Sequence, residues 1–140
     1  MISVLLVDDH TYIRMGIQQL LEAVPDMEVV DIASNGIEAV AKAQTHQPDV
    51  VVIDISMPLM DGMEATRQIV ACCPLARVLA LSLYNHPEYV RGALEAGATG
   101  YVLKDAIGDE LVEAIRTLHS GKRYFSPKVV GTIPPFVTEE

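Results

Sequence analysis

The sequence contains few basic residues relative to acidic ones. Lysine and arginine number 10 against 19 aspartates and glutamates, which gives a formal charge of −9 and a pI near 4.8. Proteins that bind nucleic acid through their own surface need a basic stripe to face the phosphates. The composition therefore argues against direct DNA binding by this chain, and any role on DNA must lie in another segment.

The sequence also carries no signal for a membrane-spanning segment or for a structural disulfide. The sequence has no recognisable signal peptide and no apolar stretch long enough to cross a membrane. Its two cysteines, Cys72 and Cys73, are adjacent, where a structural disulfide is sterically awkward, and they form neither a CxxC motif nor a cluster with histidine. We therefore expect a reducing, cytoplasmic location, no membrane contact, and cysteines that serve as small apolar residues.

Apolar runs alternate regularly with segments of helical periodicity. With 140 residues, half of them hydrophobic, the chain should form a single compact domain. Strands this apolar are buried on both faces, which is typical of a parallel sheet between two helical layers. The pattern predicts an α/β fold, a doubly wound (βα)5 parallel five-stranded sheet in the flavodoxin-like order 2-1-3-4-5. The predicted strands lie within residues 2–7, 27–33, 49–55, 77–82 and 100–103.

Local signals mark several helix boundaries. Asn35 and Glu38 form a capping box that predicts the start of the second helix, and Gly121 is placed to end the fifth. Ile107 and Gly108 stand where the fifth helix should have a favoured N-cap residue and a proline. We therefore expect the fifth helix to fray over residues 108–111.

Acidic residues follow two of the predicted strands. Asp8 and Asp9 come directly after the first strand, and Asp54 ends the apolar part of the third. In the predicted strand order the first and third strands are neighbours at the switch point, where ligands bind outside the carboxyl ends. Three carboxylates this close repel one another unless a cation lies between them. Oxygen ligands suit Mg²⁺, so the sequence predicts a Mg²⁺ site, with Mn²⁺ as the alternative.

The fourth and fifth strands supply a hydroxyl and a cation at the same edge. Ser82 ends the fourth strand and Lys104 follows the fifth. Either residue alone is a weak signal, because serine often caps a turn and lysine is often solvated. Together with a carboxylate nucleophile and a metal, they are the groups that phosphoryl transfer needs.

Four motifs in this order and spacing, "LLVDDH", "DISMPLMDG", "ALS" and "GYVLKDA", resemble the receiver domain of a two-component response regulator over about residues 1–121. Most receivers have proline after the lysine, whereas this chain has Asp105. That difference, with the "SGKRYFSPKVV" that follows, resembles the NarL/LuxR group of regulators. The resemblance implies that residues 122–140 are a linker, with a short helix after Pro127, towards a missing helix-turn-helix output domain. On this interpretation the sequence is a truncated form of a longer regulator.

The resemblance also implies roles for the acidic residues. Asp54 would accept the phosphoryl group. Asp9, Asp54 and the backbone carbonyl of Ser56 would bind Mg²⁺ directly, and Asp8 would bind it through water.

Further residues would bind the phosphoryl group or respond to it. Lys104 and Ser82 would be drawn towards the phosphorylated aspartate, and Tyr101, the switch aromatic, would then turn towards the interior. Four residues match positions that shape the site: Met57, Pro58, Asp61 and Gly62.

A signalling switch is the leading interpretation of function. A sensor histidine kinase would phosphorylate Asp54, and the change would promote a homodimer and control transcription through the DNA-binding output domain. Beyond slow Mg²⁺-dependent self-phosphorylation and self-dephosphorylation, no enzyme activity is expected. One alternative is a stand-alone receiver that relays phosphate or binds a protein. A metal-dependent aspartyl phosphatase is less favoured, because Ser56 stands where such an enzyme would have its acid/base carboxylate.

The four histidines share no metal-ligand spacing. His10 is adjacent to the acidic pair, but a partly exposed residue at a helix start is the simpler interpretation. We assign no role to any of the four: His10, His46, His86 and His119.

Overall fold

The computed structural model of the chain describes residues 1–55 and 61–132. Strands and helices alternate along the chain. Their bounds are β1 (Ile2–Val7), α1 (Thr11–Glu22), β2 (Met27–Ala33), α2 (Gly36–His46), β3 (Val50–Asp54), α3 (Gly62–Cys72), β4 (Arg77–Ser82), α4 (Pro87–Ala96), β5 (Gly100–Leu103), α5 (Ile107–His119) and β6 (Tyr124–Phe125). Two short 3-10 helices, Lys104–Ala106 and Pro127–Thr132, lie before α5 and after β6. The second of these is the short helix expected after Pro127.

The strands form one parallel sheet in the order β2-β1-β3-β4-β5-β6. The predicted order of the first five strands is confirmed, but the predicted number of strands is wrong. The sixth strand pairs with Gly100 and Tyr101, and its two residues are too few to produce an alternating pattern in the sequence. Side-chain contacts stabilise this edge, because the Ser126 hydroxyl accepts a hydrogen bond from the Leu103 amide and donates one to Glu110.

Helices cover both faces of the sheet. Because side chains alternate along a strand, neighbouring residues of β1 enter different cores. Leu5 and Val7 are buried on the side of α2, α3 and α4, whereas Val4 and Leu6 are buried on the side of α1 and α5. The sheet is therefore buried between two helical layers, as expected for continuously apolar strands.

Two predicted helix boundaries are confirmed. The Glu38 amide donates to the side chain of Asn35 over 2.9 Å, and the Glu38 carboxylate accepts a hydrogen bond from the Ser34 amide. Gly121 follows α5 with φ of +93°, a left-handed conformation that suits glycine. At the start of α5, Ala106 occupies the N-cap position and provides no side-chain hydrogen bond to the described residues.

Candidate functional site

The fold brings residues from the carboxyl ends of four strands together. Asp8 follows β1, Asp54 ends β3, Ser82 ends β4 and Lys104 follows β5. Asp8, Asp54 and Ser82 are at most 2% exposed. Charged groups are rarely buried this deeply without a partner of opposite charge. The strand order predicts this arrangement, because all four residues lie at the carboxyl ends of parallel strands and therefore at the same edge of the sheet.

Lys104 provides the opposite charge. Its Nζ atom donates a 2.9 Å hydrogen bond to Asp54 Oδ2 and lies 3.2 Å from Asp8 Oδ2, and its side chain is 4% exposed. Burial disfavours the ammonium ion, but the hydrogen bond from Lys104 to Asp54 and the charges of both aspartates outweigh that cost and raise the pKa of Lys104. Lys104 is therefore charged at neutral pH and is held against the Asp54 carboxylate.

His10 also lies among these carboxylates. Its Nδ1 atom is 3.0 Å from Asp8 Oδ1, 3.3 Å from Asp9 Oδ1 and 3.7 Å from Asp54 Oδ2. The His10 amide also donates a 2.7 Å hydrogen bond to Asp8 Oδ1, the same oxygen that its ring contacts. His10 has no role predicted from the sequence. Its position directly after the acidic pair was the only available signal, and the contact with Asp54 depends on residues 44 positions apart in the chain.

The donor set fits a divalent cation. Ligand atoms of Asp8, Asp9, His10 and Asp54 all lie within 4.8 Å of one another. Two buried carboxylate oxygens, Asp8 Oδ2 and Asp9 Oδ1, accept no hydrogen bond from the described part of the chain. Each has only an ion-pair contact there, with Lys104 Nζ at 3.2 Å and His10 Nδ1 at 3.3 Å, so a cation at this edge would satisfy both oxygens more fully. The backbone carbonyl of Ser56, the third predicted metal ligand, lies outside the described residues.

A hydrogen-bonded path connects the end of β4 to Tyr101. The Ser82 hydroxyl accepts a 2.9 Å hydrogen bond from the Tyr84 amide, and the Tyr101 hydroxyl donates a 2.6 Å hydrogen bond to the Tyr84 carbonyl. Tyr101 is completely buried, and burial raises the pKa of its hydroxyl. The ring therefore already occupies the interior in this structure, rather than a half-exposed position on β5.

Two of the predicted site-shaping residues lie at the start of α3. Asp61 caps this helix, since its carboxylate accepts a 2.9 Å hydrogen bond from the Glu64 amide. Gly62 packs directly on the end of β3, where an added Cβ would overlap the carbonyl oxygen of Asp54 and the Cα of Ile55. Only glycine allows this approach, which fixes the distance between α3 and Asp54. The other two, Met57 and Pro58, lie outside the described residues.

An open cavity gives access to Asp54. It has a volume of about 210 Å³ and is lined by His10, Asp54, Leu83, Tyr84 and Lys104. Since a water molecule takes about 30 Å³ in the liquid, the cavity has room for a small anion with several waters. Leu83 is 67% exposed at its rim, so the route to the carboxylate is open to solvent.

The fold and site together define a domain in which an acidic pocket and a lysine converge on one buried aspartate. The chain belongs to the response regulator receiver domain family, whose model matches residues 4–116.

Several relatives resemble the chain over most of its length. Oxygen regulatory protein NreC of Staphylococcus carnosus is 40% identical over 94% of this chain and 61% of that protein. Transcriptional regulatory protein DegU of Brevibacillus brevis is 38% identical over 91% of this chain and 54% of that protein. A LuxR-family two-component response regulator from Aurantimonas sp. SI85-9A1 has a crystal structure that superposes with a TM-score of 0.89, at 37% identity over 94% of each chain.

The chain spans only 54–61% of the length of these two curated relatives. Their names describe whole proteins, so their regulatory activities are properties of those longer chains. In the part of this chain that the structure describes, none of the helices has the length and apolar character required to span a bilayer.

Proposed function

We propose that this chain is the phosphorylation-dependent switch of a two-component system, in which Asp54 accepts a phosphoryl group. One observation carries the proposal: the Asp54 carboxylate is 1% exposed, and its Oδ2 atom accepts a 2.9 Å hydrogen bond from Lys104. A buried carboxylate held by a lysine, with an open cavity beside it, suits nucleophilic attack on a phosphorus centre. The receiver family and the regulatory names of its relatives support the same assignment.

Each residue of the pocket has a part in this proposal. The Asp54 carboxylate attacks phosphorus, the bond between phosphorus and the donor (the histidine of the kinase, or acetate) breaks, and Lys104 stabilises the negative charge of the transferred group. Asp9, Asp54 and the Ser56 carbonyl would hold Mg²⁺, with Asp8 reaching it through water. When bound, the ion neutralises charge on the phosphoryl oxygens. Mn²⁺ has the same oxygen preference and is the alternative ion.

The response begins at Ser82 and Tyr101. Phosphorylation adds almost two negative charges and three acceptor oxygens beside Lys104. The Ser82 hydroxyl turns towards these oxygens and gives up its hydrogen bond with the Tyr84 amide. Because the Tyr84 carbonyl accepts the hydroxyl proton of Tyr101, a shift of Tyr84 moves the β5 side of the domain.

The regulatory names of the relatives support a wider setting for this switch. A sensor histidine kinase supplies the phosphoryl group, activation promotes a homodimer, and DNA is contacted through a separate output domain that controls transcription. Cys72 and Cys73 are both free thiols, which supports a cytoplasmic location. The chain's own chemistry is limited to slow self-phosphorylation and self-dephosphorylation. A stand-alone receiver that relays phosphate or binds a protein is the second candidate, because the site described here is the same in either case.

Intact-mass spectrometry after incubation with acetyl phosphate tests the proposal. Wild-type protein should gain one phosphoryl group in Mg²⁺ and none in chelator, and Asp54→Asn should gain none. Asp105→Asn is the matched control, because Asp105 is an exposed carboxylate next to Lys104 in the chain and makes a long, solvent-exposed contact of 3.8 Å with Lys128. Labelling of Asp54→Asn at the wild-type level, or loss of labelling in Asp105→Asn alone, would refute the assignment.

A further inference from the structure

The imidazole of His10 is the one nitrogen donor in the metal-ligand cluster of the described residues. Its Nδ1 atom faces carboxylate oxygens from both strand ends, at 3.0 Å from Asp8, 3.3 Å from Asp9 and 3.7 Å from Asp54. The side chain is 55% exposed, so surrounding groups do not force the ring into the pocket. The imidazole therefore lies among the acidic groups because of its contacts with them.

One of these separations matches the spacing of atoms that share one ion. Two neighbouring ligands, each about 2.1 Å from a metal, lie about 3 Å apart at a right angle and about 3.4 Å apart in a tetrahedron. The Nδ1 distance to Asp9, the carboxylate that would bind the ion directly, falls between these values, whereas the 3.0 Å contact with Asp8 is a hydrogen bond. Asp9 Oδ1 is buried and lies 3.3 Å from Nδ1 without accepting a hydrogen bond from it, so an ion bound to both atoms would satisfy this oxygen.

We propose that Nδ1 of His10 is a metal ligand of this pocket and makes it select borderline divalent transition ions, such as Co²⁺ and Zn²⁺, over Mg²⁺. The inference rests on the proposed function, because it concerns the same cation site. Mg²⁺ binds oxygen and gains little from an imidazole, whereas Co²⁺ and Zn²⁺ bind imidazole well and follow Mn²⁺ in the order of increasing affinity. A pocket of carboxylates alone lacks this source of discrimination.

A different explanation of the same contacts is that His10 only neutralises the acidic pocket when no ion is bound. In that case the imidazole competes with every cation equally. Removing it would then strengthen the binding of Co²⁺ and Mg²⁺ by similar factors. Ligation predicts the opposite sign for Co²⁺, so the ratio of the two affinities separates the explanations.

Calorimetric titration with Co²⁺ and, separately, Mg²⁺ at about pH 8 tests the proposal on wild type, His10→Asn and His119→Asn. His119 ends α5 and is exposed, so its substitution removes one histidine far from the pocket. In His10→Asn the Co²⁺ affinity should fall at least tenfold, by analogy with the roughly 10–100-fold effects of groups that only support a ligand. The Mg²⁺ affinity should change much less, and His119→Asn should match wild type for both ions.

A nuclear magnetic resonance measurement on wild-type protein tests the same ligation without the His10→Asn substitution. With Zn²⁺ bound, the ¹⁵N signal of His10 Nδ1 should move to the position of a metal-bound nitrogen, while the ring nitrogens of His119 should not move. An unmoved His10 signal in Zn²⁺-saturated protein, or equal changes in Co²⁺ and Mg²⁺ affinity in His10→Asn, would overturn the inference.

Different results would contradict the Mg²⁺-dependent function and the ligand role of His10. If wild-type protein binds neither Mg²⁺ nor Co²⁺, both the inference and the Mg²⁺-dependent function are wrong. If wild-type Asp54 is labelled in Mg²⁺ but the ion preference of His10→Asn equals that of wild type, only the inference about His10 is wrong.

Discussion

Replacement of Lys104 by methionine should destabilise the domain mainly through the charges that it leaves behind. Nζ of Lys104 lies 2.9 Å from Asp54 Oδ2 and 3.2 Å from Asp8 Oδ2, and both carboxylates are at most 1% exposed. Methionine fills a similar volume, so the cost arises from two buried carboxylates that repel each other without a cation. Removing one partner of a buried ion pair costs about 3–5 kcal/mol. We expect about 3 kcal/mol, because Asp8 keeps its contact with His10.

The loss of stability in Lys104→Met should also depend on bound metal. An ion that binds the folded state at 100 times its Kd adds about 2.7 kcal/mol of stability. Because the pocket of Lys104→Met is more negative than that of wild type, it should bind Mg²⁺ more tightly. Wild type also gains stability from the ion, so the loss shrinks only by the ratio of the two Kd values. If Lys104→Met binds Mg²⁺ tenfold more tightly, the loss of about 3 kcal/mol in chelator should fall by about 1.4 kcal/mol in saturating Mg²⁺.

Urea denaturation followed by far-UV circular dichroism measures both losses. Lys122→Met is the control, because Lys122 is exposed just after α5 and its substitution should cost no more than about 0.5 kcal/mol. The raised pKa of Lys104 means that its contribution is complete below the ordinary lysine pKa, near 10.4, and is lost only as pH rises through the higher folded value. A loss in chelator equal to that of Lys122→Met would refute the argument that Asp8 and Asp54 depend on this charge.

Three further predictions concern other parts of the fold. Gly62→Ala should lower the free energy of unfolding by at least about 2 kcal/mol, because the added Cβ meets the backbone of Asp54 and Ile55. Gly16→Ala is the control and should be neutral or stabilising, because an added Cβ there meets no atom within 4 Å. Equal effects of the two substitutions would contradict the close packing at Gly62. In hydrogen exchange, the amides of residues 108–111 should exchange faster than those of residues 114–118, because Ala106 provides no side-chain cap. Ala106→Ser should slow the exchange of residues 108–111. Strong protection of these amides in wild type would show that the start of α5 does not fray. Burial, with a hydrogen bond to Glu110, raises the pKa of Tyr124 to about 12, so its stabilising contribution should be complete below pH 10 and lost as pH rises through 12. The absorbance titration of Tyr124→Phe should lose a step near pH 12, and a midpoint near 10 for Tyr124 would contradict this.

Most of the fold was predictable because its determinants are local. Apolar runs and capping signals such as Asn35 identify each of the first five strands and the helix that follows β2. The sixth strand was missed because two residues, Tyr124 and Phe125, carry no periodicity. Its position depends on Ser126 and Glu110, which are 16 residues apart and meet only after α5 has packed.

The site was predictable to the extent that topology determines it. Strand order alone brings Asp8, Asp54 and Lys104 together across 96 residues of sequence. The position of His10 was not predictable, because its ring direction depends on its own contacts with the carboxylates of Asp8 and Asp9. The inward position of Tyr101 likewise depends on the carbonyl of Tyr84, which lies in a loop without a sequence signature.

The measurement that tests the central claim most directly is the position of the phosphoryl group. Protein labelled with acetyl phosphate and Mg²⁺ is treated with borohydride, which reduces an aspartyl phosphate to homoserine, and is then digested and sequenced by mass spectrometry. Our account predicts homoserine at position 54 and at no other aspartate. Modification confined to Asp8 or Asp9, or a phosphoryl group on the neighbouring His10, would contradict it.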